Sequence, residues 1–201
     1  HIYGMVNGIQ GLLEDHFMDL GTTFNSEEKI DALKHSPAMY LGSCRYKLPT
    51  VSDDKDTYDL LFKKFNDLEI TDFFYIGGND SMDTVAKLAA YGETINSPIH
   101  FIGIPKTIDN DLMGTDHTPG FGSAAKYVAS SMLEIAYDSS IYKLDAITIV
   151  EIMGRNAGWL TAASALARTE CNDAPDLIYL PEVVFDKERF LKDIEEKFKE
   201  K

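Results

Sequence analysis

Residues 105–111, Pro-Lys-Thr-Ile-Asp-Asn-Asp, concentrate groups that could take part in chemistry. Lys106, Thr107, Asp109 and Asp111 follow directly after an apolar segment that is typical of a strand. Carboxylates beside an ammonium and a hydroxyl suit a general base, and they also suit contact with a metal ion. We expect the two carboxylates to share one side of an extended segment. A plain polar turn is the alternative, but this density of functional groups favours a site.

A glycine pair marks a second candidate site. Gly77 and Gly78 follow an apolar segment, and Asp80 and Ser81 come next, where a helix is predicted to begin. Two glycines between a strand and a helix allow backbone N–H groups to face an anion. The spacing does not match G-x-G-x-x-G, which argues against a dinucleotide site. The alternative is an ordinary turn in which Asp80 or Ser81 caps the helix.

The third candidate is Met-Gly-Arg-Asn-Ala-Gly-Trp, residues 153–159. Gly154 would let the backbone approach a ligand, and the planar guanidinium of Arg155 could bind a phosphate with two parallel hydrogen bonds. Asn156 could cap the helix that follows. We expect Trp159 to be a core anchor rather than a platform for stacking a base.

Three further features have simpler explanations. The segment 118–123 contains two glycines at a predicted helix start and could form a phosphate-binding nest, but a packing turn is favoured. Arg45 lies in an irregular loop, where a solvated side chain is the alternative to a site. His117 has no partner at ligand spacing and Cys44 has no nearby histidine, so neither is assigned a role.

The elements that must position these candidates alternate between strands and helices. Short apolar runs predict strands, and segments with apolar residues three and four apart predict helices between them. This order predicts an α/β fold, three-layered around a mostly parallel sheet. Ligands gather at the carboxyl ends of such strands. We therefore expect the loops after the predicted strands 72–76, 98–104 and 146–152 to open on one edge; a further strand is predicted at 176–180.

Composition limits the function classes. The chain has 201 residues and a net charge of −14, which argues against nucleic acid and an anionic membrane surface as partners. The two cysteines have no metal-ligand spacing, which favours a reducing, cytoplasmic location. No apolar run is long enough to span a membrane.

The motifs GGNDS, PKTIDND and IVEIMGRNAGW, in this order, resemble those of the phosphofructokinases. YGMVNGIQGLL, LGSCR and LPEVVF resemble other segments of that family, so the likeness runs along the whole chain. The resemblance implies a Rossmann-like first domain over residues 1–201, with the family's first glycine-rich strand and its second domain absent from this chain. Alone, such a chain is expected to be inactive.

The family's reaction implies substrates, metal and assembly. It transfers a phosphoryl group to the C1 hydroxyl of fructose 6-phosphate, giving fructose 1,6-bisphosphate in glycolysis. The expected metal is Mg²⁺, because the transferred group carries charge and the site is rich in oxygen ligands. The resemblance also implies a homodimer or homotetramer.

Site residues can be carried over by position. Asp109 matches the proton acceptor for the C1 hydroxyl, and Lys106 is the second catalytic residue. The substrate-binding positions are Thr107, Asp109, Asp111, Met153, Gly154 and Arg155. The phosphoryl-donor positions are Gly77, Gly78, Asp80, Ser81 and Arg45. The metal positions are Asp80 and Asp111.

The donor is implied by two positions. Relatives that use ATP usually have glycine where this chain has Asp80, whereas relatives that use pyrophosphate usually have aspartate there and a lysine at the position of Lys106. A carboxylate at position 80 would repel the α-phosphate of a nucleotide, which pyrophosphate lacks. Pyrophosphate is therefore the expected donor and ATP is the alternative. Ile9 stands where ATP users often have an aromatic residue, which agrees weakly.

Two departures and two rival interpretations accompany the resemblance. Asn79 replaces an aspartate that commonly helps to hold the metal, and Ala146 replaces an arginine that reaches a neighbouring subunit's sugar phosphate. NAD and lipid kinases share a related glycine loop but lack PKTIDND and the Met-Gly-Arg segment. A relative that has lost activity and serves as a regulatory subunit is the other possibility, and the retained acidic and basic site residues argue against it.

Overall fold

The computed structural model describes residues 1–200, and Lys201, the last residue of the predicted domain, lies outside the described residues. The chain divides into two compact units, His1–Pro105 and Lys106–Lys201. The first unit contains β1 Tyr3–Met5, α1 Gly8–Leu13, β2 Phe17–Asp19, α2 Leu20–Thr23, α3 Glu27–Lys34, α4 Lys55–Asp67, β3 Asp72–Gly77, α5 Asn79–Thr94 and β4 His100–Pro105. The second contains α6 Phe121–Ser140, α7 Trp159–Ala163, the 3-10 turn Ser164–Ala167 and α8 Lys187–Glu200.

The β3–α5–β4 unit is the parallel element that the sequence predicts. β3 and β4 pair in parallel, with Asp72 opposite His100 and Gly77 opposite Pro105. Both strands therefore end at the same edge. This geometry confirms the prediction for the first two of the three expected loops, because each leaves the sheet from that edge.

The core of the first unit lies between this strand pair and the flanking helices. Tyr58, Phe62 and Phe65 project from α4 at helical spacing and are buried, as the apolar pattern predicts. They meet Leu88 of α5 and the aromatic side chains of the strands. Phe65 is only 1% exposed, so its truncation to alanine would cost about 3–5 kcal/mol of stability.

The second unit has a smaller core. Ala125 of α6 and Leu160 and Ala163 of α7 are buried against one another. Ile108 and Ile152, which lie in the loops before these helices, pack against the same cluster. The cluster therefore anchors both candidate loops of this unit.

Several predicted elements are wrong. Residues 146–152 and 176–180 do not form strands: they have no ladder partner, and Ile147 and Ile149 are exposed. A strand is defined by pairing with a neighbour, which apolar composition cannot guarantee. The sequence reading also missed β2, which pairs antiparallel with β1 over three residues.

Candidate active site

The glycine loop after β3 is fixed by close packing. A Cβ atom on Gly77 would lie 2.1 Å from the Oγ atom and 2.6 Å from the Cβ atom of Ser81, so a larger residue would force Ser81 to shift. Gly78 is the N-cap residue of α5, and no side chain caps the helix. The predicted capping role of Asp80 or Ser81 is therefore wrong, since the helix already begins at Asn79. An uncapped 16-residue helix presents N–H groups and the positive end of its dipole to an anion.

The two carboxylates after this loop have different surroundings. Asp83 forms an ion pair with Lys87 at 2.6 Å, and Lys87 also donates a hydrogen bond to the carbonyl oxygen of Leu48. Asp80 is exposed in the first turn of α5, and within residues 1–200 its carboxylate has no hydrogen bond or ion pair. Of the two, Asp80 is the carboxylate available to meet a donor or a metal.

The loop that carries Arg45 is held against the first unit's core. Asn7, in the left-handed conformation at φ 63°, donates its backbone N–H to Leu41 and its side-chain amide to the carbonyl oxygen of Ser43. The Cys44 sulfur lies 4.0 Å from the Tyr75 hydroxyl, and burial raises the pKa of Tyr75. Tyr75 belongs to β3, the strand that leads to the glycine pair. Cys44 therefore contacts that strand, and Arg45 is the next residue along the chain.

The predicted catalytic loop begins at Lys106 in the second unit. Lys106 and Asp111 are exposed, Asp109 is partly exposed, and none of these three side chains has a polar partner in the part of the chain that the structure describes. The Thr107 hydroxyl accepts a hydrogen bond from the backbone N–H of Asp109 at 3.1 Å. The segment is not extended as predicted, because Asn110 adopts a left-handed φ of 58°.

Asn110 and Thr118 hold this loop from inside. Asn110 is 8% exposed and Thr118 is 3% exposed. The Asn110 side chain accepts hydrogen bonds from the Thr118 backbone N–H at 2.9 Å and hydroxyl at 3.3 Å, and it donates one to the carbonyl oxygen of Asp116 at 3.1 Å. The single proton of the Thr118 hydroxyl is shared between this Asn110 oxygen and the carbonyl oxygen of Thr107, which is the nearer acceptor at 2.5 Å. These bonds confirm the packing role expected for the segment that begins at Thr118.

The Met-Gly-Arg segment forms a second anchored turn. A Cβ atom on Gly154 would lie 2.8 Å from the carbonyl oxygen of Ala157, so the turn requires the small residue. Met153 and Arg155 are exposed, and the Arg155 guanidinium makes no ion pair or hydrogen bond within residues 1–200. The N–H of Gly158 donates to the Glu182 carboxylate at 2.7 Å.

Two of the candidate loops share one anchor. Ile108 lies next to Asp109, Ile152 lies next to Met153, and both isoleucines pack against the cluster of Ala125, Leu160 and Ala163. The structure thus ties the predicted catalytic loop, residues 106–118, and the Met-Gly-Arg turn to the same small core. The glycine loop and Arg45 belong to the first unit.

An open cleft of about 680 Å³ borders the predicted catalytic loop. Asp111, His117, Phe121 and Trp159 are among its lining residues. Trp159 is 56% exposed, so its predicted role as a core anchor is wrong. It is the first residue of α7, and Leu160 beside it takes the buried position instead.

Comparison with known proteins identifies the family. The phosphofructokinase family model matches residues 1–201, which is the whole chain. This chain belongs to the phosphofructokinase family. A pyrophosphate–fructose 6-phosphate 1-phosphotransferase of Methylococcus capsulatus is 43% identical over 198 residues, covering 98% of this chain and 47% of the relative.

A solved structure and a more distant relative complete the comparison. The pyrophosphate-dependent phosphofructokinase from Marinobacter aquaeolei is 41% identical with a TM-score of 0.82, over 98% of this chain and 48% of that chain. This likeness confirms the predicted α/β fold class. An ATP-dependent 6-phosphofructokinase of Hamiltonella defensa is 31% identical over 193 residues, covering 96% of this chain and 53% of the relative. The chain therefore spans about half the length of the relatives it matches.

A phosphofructokinase is expected to need a divalent cation, and the donor set agrees with a hard ion. Among residues 1–200 no group of three or more His, Cys, Asp or Glu side chains is close enough to hold a metal alone. Mg²⁺ does not need such a group, because it keeps several waters and binds through one or two carboxylates together with substrate phosphates. Asp80 and Asp111, each in its own unit, each offer a hard oxygen ligand of this kind and have no partner within residues 1–200.

Two residues that shape this loop, Asn110 and Thr118, carry no site prediction from the sequence. Asn110 stands between the two aspartates, and the pattern favours only a packing turn for the segment that begins at Thr118. An asparagine flanked by aspartates is a common sign of a turn with positive φ, which could have drawn attention to Asn110. Its partner eight residues away could not be identified from spacing.

No helix among residues 1–200 combines the length and the apolar character needed to cross a lipid bilayer.

Proposed function

We propose that the full-length protein transfers a phosphoryl group from pyrophosphate to the C1 hydroxyl of fructose 6-phosphate, reversibly, giving fructose 1,6-bisphosphate and phosphate. One observation carries the proposal: the side chains of Lys106, Asp109 and Asp111 are uncommitted on a loop that is otherwise fixed by buried hydrogen bonds. Charged groups left without partners on a rigid loop are suited to a charged ligand. The names of the relatives at 43% and 41% identity support the reaction.

Each predicted residue of the catalytic loop has its own role in this reaction. Asp109 accepts the proton of the C1 hydroxyl as its oxygen attacks the nearer phosphorus of pyrophosphate, and the bond from that phosphorus to the bridging oxygen breaks, releasing phosphate. Lys106 offers an ammonium to the negatively charged donor. Thr107 and Asp111 flank the transferred group.

The other predicted residues bind the two ends of the reacting pair. Arg155, with Met153 and Gly154, binds the sugar phosphate through the planar guanidinium and the backbone of the turn. Arg45 and the glycine loop bind the donor, where the uncapped N-terminus of α5 favours an anion. Asp80 and Asp111 would hold Mg²⁺, which would neutralise charge on the transferred phosphoryl group.

ATP is a second candidate donor, because an ATP-dependent relative is 31% identical over most of this chain. The exposed, unpaired carboxylate of Asp80 in the first turn of α5 favours pyrophosphate instead. It places negative charge where a nucleotide would bring an additional phosphate, and pyrophosphate has no such group.

The remaining features of the proposal concern the whole protein. Residues 1–201 form most of its N-terminal domain, and these residues alone are inactive because the sugar phosphate also needs contacts from a second domain. The protein is a cytoplasmic homodimer or homotetramer. The two free cysteines, Cys44 and Cys171, agree with a reducing compartment.

The deciding experiment is a donor comparison with the full-length protein. Formation of fructose 1,6-bisphosphate is measured with fructose 6-phosphate and Mg²⁺, supplying either pyrophosphate or ATP. We expect a much higher kcat/KM with pyrophosphate, and loss of activity when the metal is chelated. A higher kcat/KM with ATP would replace the proposed donor, and no product with either donor would overturn the reaction itself.

A further inference from the structure

The inner hydrogen bonds of the predicted catalytic loop, residues 106–118, involve two side chains that are not themselves predicted ligand positions, those of Asn110 and Thr118. Asn110 and Thr118 are both buried, and together they make four hydrogen-bond contacts, two of which share the one hydroxyl proton of Thr118. These bonds join the loop's beginning, at the carbonyl oxygen of Thr107, to its end, at Asp116 and Thr118. The loop from Thr107 to Thr118 is therefore closed on itself by side chains.

The closure acts at the positions on either side of Asn110. The left-handed backbone of Asn110 turns the chain between Asp109 and Asp111. Both the oxygen and the nitrogen of the Asn110 side-chain amide form hydrogen bonds. With Asn110 directed inward, the two aspartate side chains are left without any partner in residues 1–200. Within residues 1–200, the only further hydrogen bond at these two positions is the one from the Asp109 backbone N–H to the Thr107 hydroxyl.

We propose that Asn110 and Thr118 are positioning residues that orient Asp109 and Asp111 for phosphoryl transfer. The proposal rests on the proposed function, since Asp109 is the proton acceptor only in that reaction. The physical reason is that a reacting group must be held near its productive geometry, and a displacement of about 1 Å can lower the rate about 100-fold. A loop held by these bonds restricts such displacement, whereas a loop without them samples other conformations.

Thr118→Val is the first test, because valine has nearly the same shape as threonine but cannot donate to the carbonyl oxygen of Thr107. In the full-length protein we expect kcat to fall about 10- to 100-fold while KM for fructose 6-phosphate changes little. Thr118→Ser keeps the hydroxyl and should restore most of the activity. Asn110→Gly is a second test, since glycine accepts the positive φ without strain but removes the side-chain bonds.

Ser164→Ala is the matched control. Ser164 is also 3% exposed, and its hydroxyl also donates to a backbone carbonyl at 2.5 Å, but it lies in the 3-10 turn after α7. Its loss should lower the unfolding temperature by an amount similar to that of Thr118→Val and leave kcat within about threefold of the parent. Equal falls in kcat for the two variants, or a parent-like kcat for Thr118→Val, would overturn the positioning role.

Backbone amide exchange separates this proposal from the proposed function. The Asp109 and Thr118 amides both donate to loop side chains, so Thr118→Val should speed their exchange relative to the parent while the amides of α6 stay protected. A folded variant with parent-like exchange in this loop contradicts the closure, whether or not the protein phosphorylates sugars. An inactive parent with faster exchange in the variant would refute the reaction and with it the catalytic purpose of the closure.

Discussion

Asp83 lies 2.6 Å from the ammonium of Lys87, one turn along α5, and the pair neutralises one of the two carboxylates that follow the glycine loop. Asp80 has no such partner within residues 1–200 and is the one acidic residue in the first turn of the helix. A carboxylate here adds negative charge beside the positive end of the helix dipole, and this charge would repel the additional phosphate that a nucleotide brings. This difference between the two aspartates leads to the first prediction.

Replacing Asp80 by glycine should admit ATP. The substitution removes both the bulk and the charge that would face the α-phosphate, so kcat/KM with ATP should rise, and the value with pyrophosphate should not improve. Steady-state kinetics of the full-length protein with both donors measures the change. Asp83→Asn is the matched control, because it removes a charge from the same helix at a neutralised position, and it should leave the ATP rate unchanged. An unchanged ATP rate in Asp80→Gly would refute the role given to Asp80.

Replacing Lys106 by glycine should act on pyrophosphate. A charge-assisted hydrogen bond contributes about 1.5–3 kcal/mol, which corresponds to a loss of roughly 10- to 150-fold in rate. The Asp80→Gly, Lys106→Gly double variant should shift preference further toward ATP. Lys143→Gly tests whether any exposed lysine has this effect, and it should have almost none. A pyrophosphate rate for Lys106→Gly close to that of the parent would exclude a donor contact by Lys106.

Replacing Asp109 by asparagine should nearly abolish turnover with either donor. The amide is similar in size but cannot accept the proton, and loss of a general base costs about 100- to 10,000-fold. Asp138→Asn, on the exposed surface of α6, controls for loss of a charge in the same unit. Initial rates at saturating substrate measure both variants. Turnover of Asp109→Asn within a few-fold of the parent means that another group takes the proton.

Replacing Arg155 by lysine should weaken binding of the sugar phosphate while keeping the positive charge. An ammonium cannot reproduce the two parallel hydrogen bonds of a guanidinium, so KM for fructose 6-phosphate should rise about tenfold or more, with a smaller effect on kcat. Arg189→Lys on α8 should leave KM unchanged. If kcat falls and KM does not change in Arg155→Lys, the residue acts on the transferred group rather than on the sugar phosphate.

The parts of the fold that could be predicted are those fixed by local patterns. The spacing of Tyr58, Phe62 and Phe65 predicts α4, and the apolar run before Gly77 predicts β3, because each pattern states which side of the element is buried. The run 146–152 carries the same composition but no strand, since pairing depends on a neighbour that composition does not specify.

In the candidate site, too, the sequence predicts some residues and not others. Charged groups such as Lys106 and Asp109 can be identified from the sequence because their residue type alone gives their charge and their ability to exchange a proton. The supports of the site do not stand out, because Asn110 and Thr118 act through bonds between positions eight residues apart. Trp159 shows the opposite error: its size suggests burial, but the register of a five-residue helix turns Leu160 inward instead.

The last prediction concerns the helix cap of α4. The side chain of Asp54 accepts hydrogen bonds from the Thr57 hydroxyl at 2.6 Å and from the Thr57 backbone N–H at 3.1 Å. These bonds favour the ionised carboxylate and hold the pKa of Asp54 below its usual value, the hydroxyl having the larger effect. Because the folded-state pKa is depressed, the stabilisation is fully present above the unfolded pKa of about 3.9 and is lost as pH falls through the folded value.

Two variants at position 54 test this sign. Asp54→Ala should lower the thermal unfolding midpoint of the full-length protein near pH 7, and the difference from the parent should shrink as the pH is lowered toward about 3. Asp54→Asn keeps an acceptor for the Thr57 N–H but has no charge to titrate, so its midpoint should approach that of the parent in acid. A difference between parent and Asp54→Ala that stays constant or grows on acidification would show that ionisation of Asp54 does not contribute to the cap.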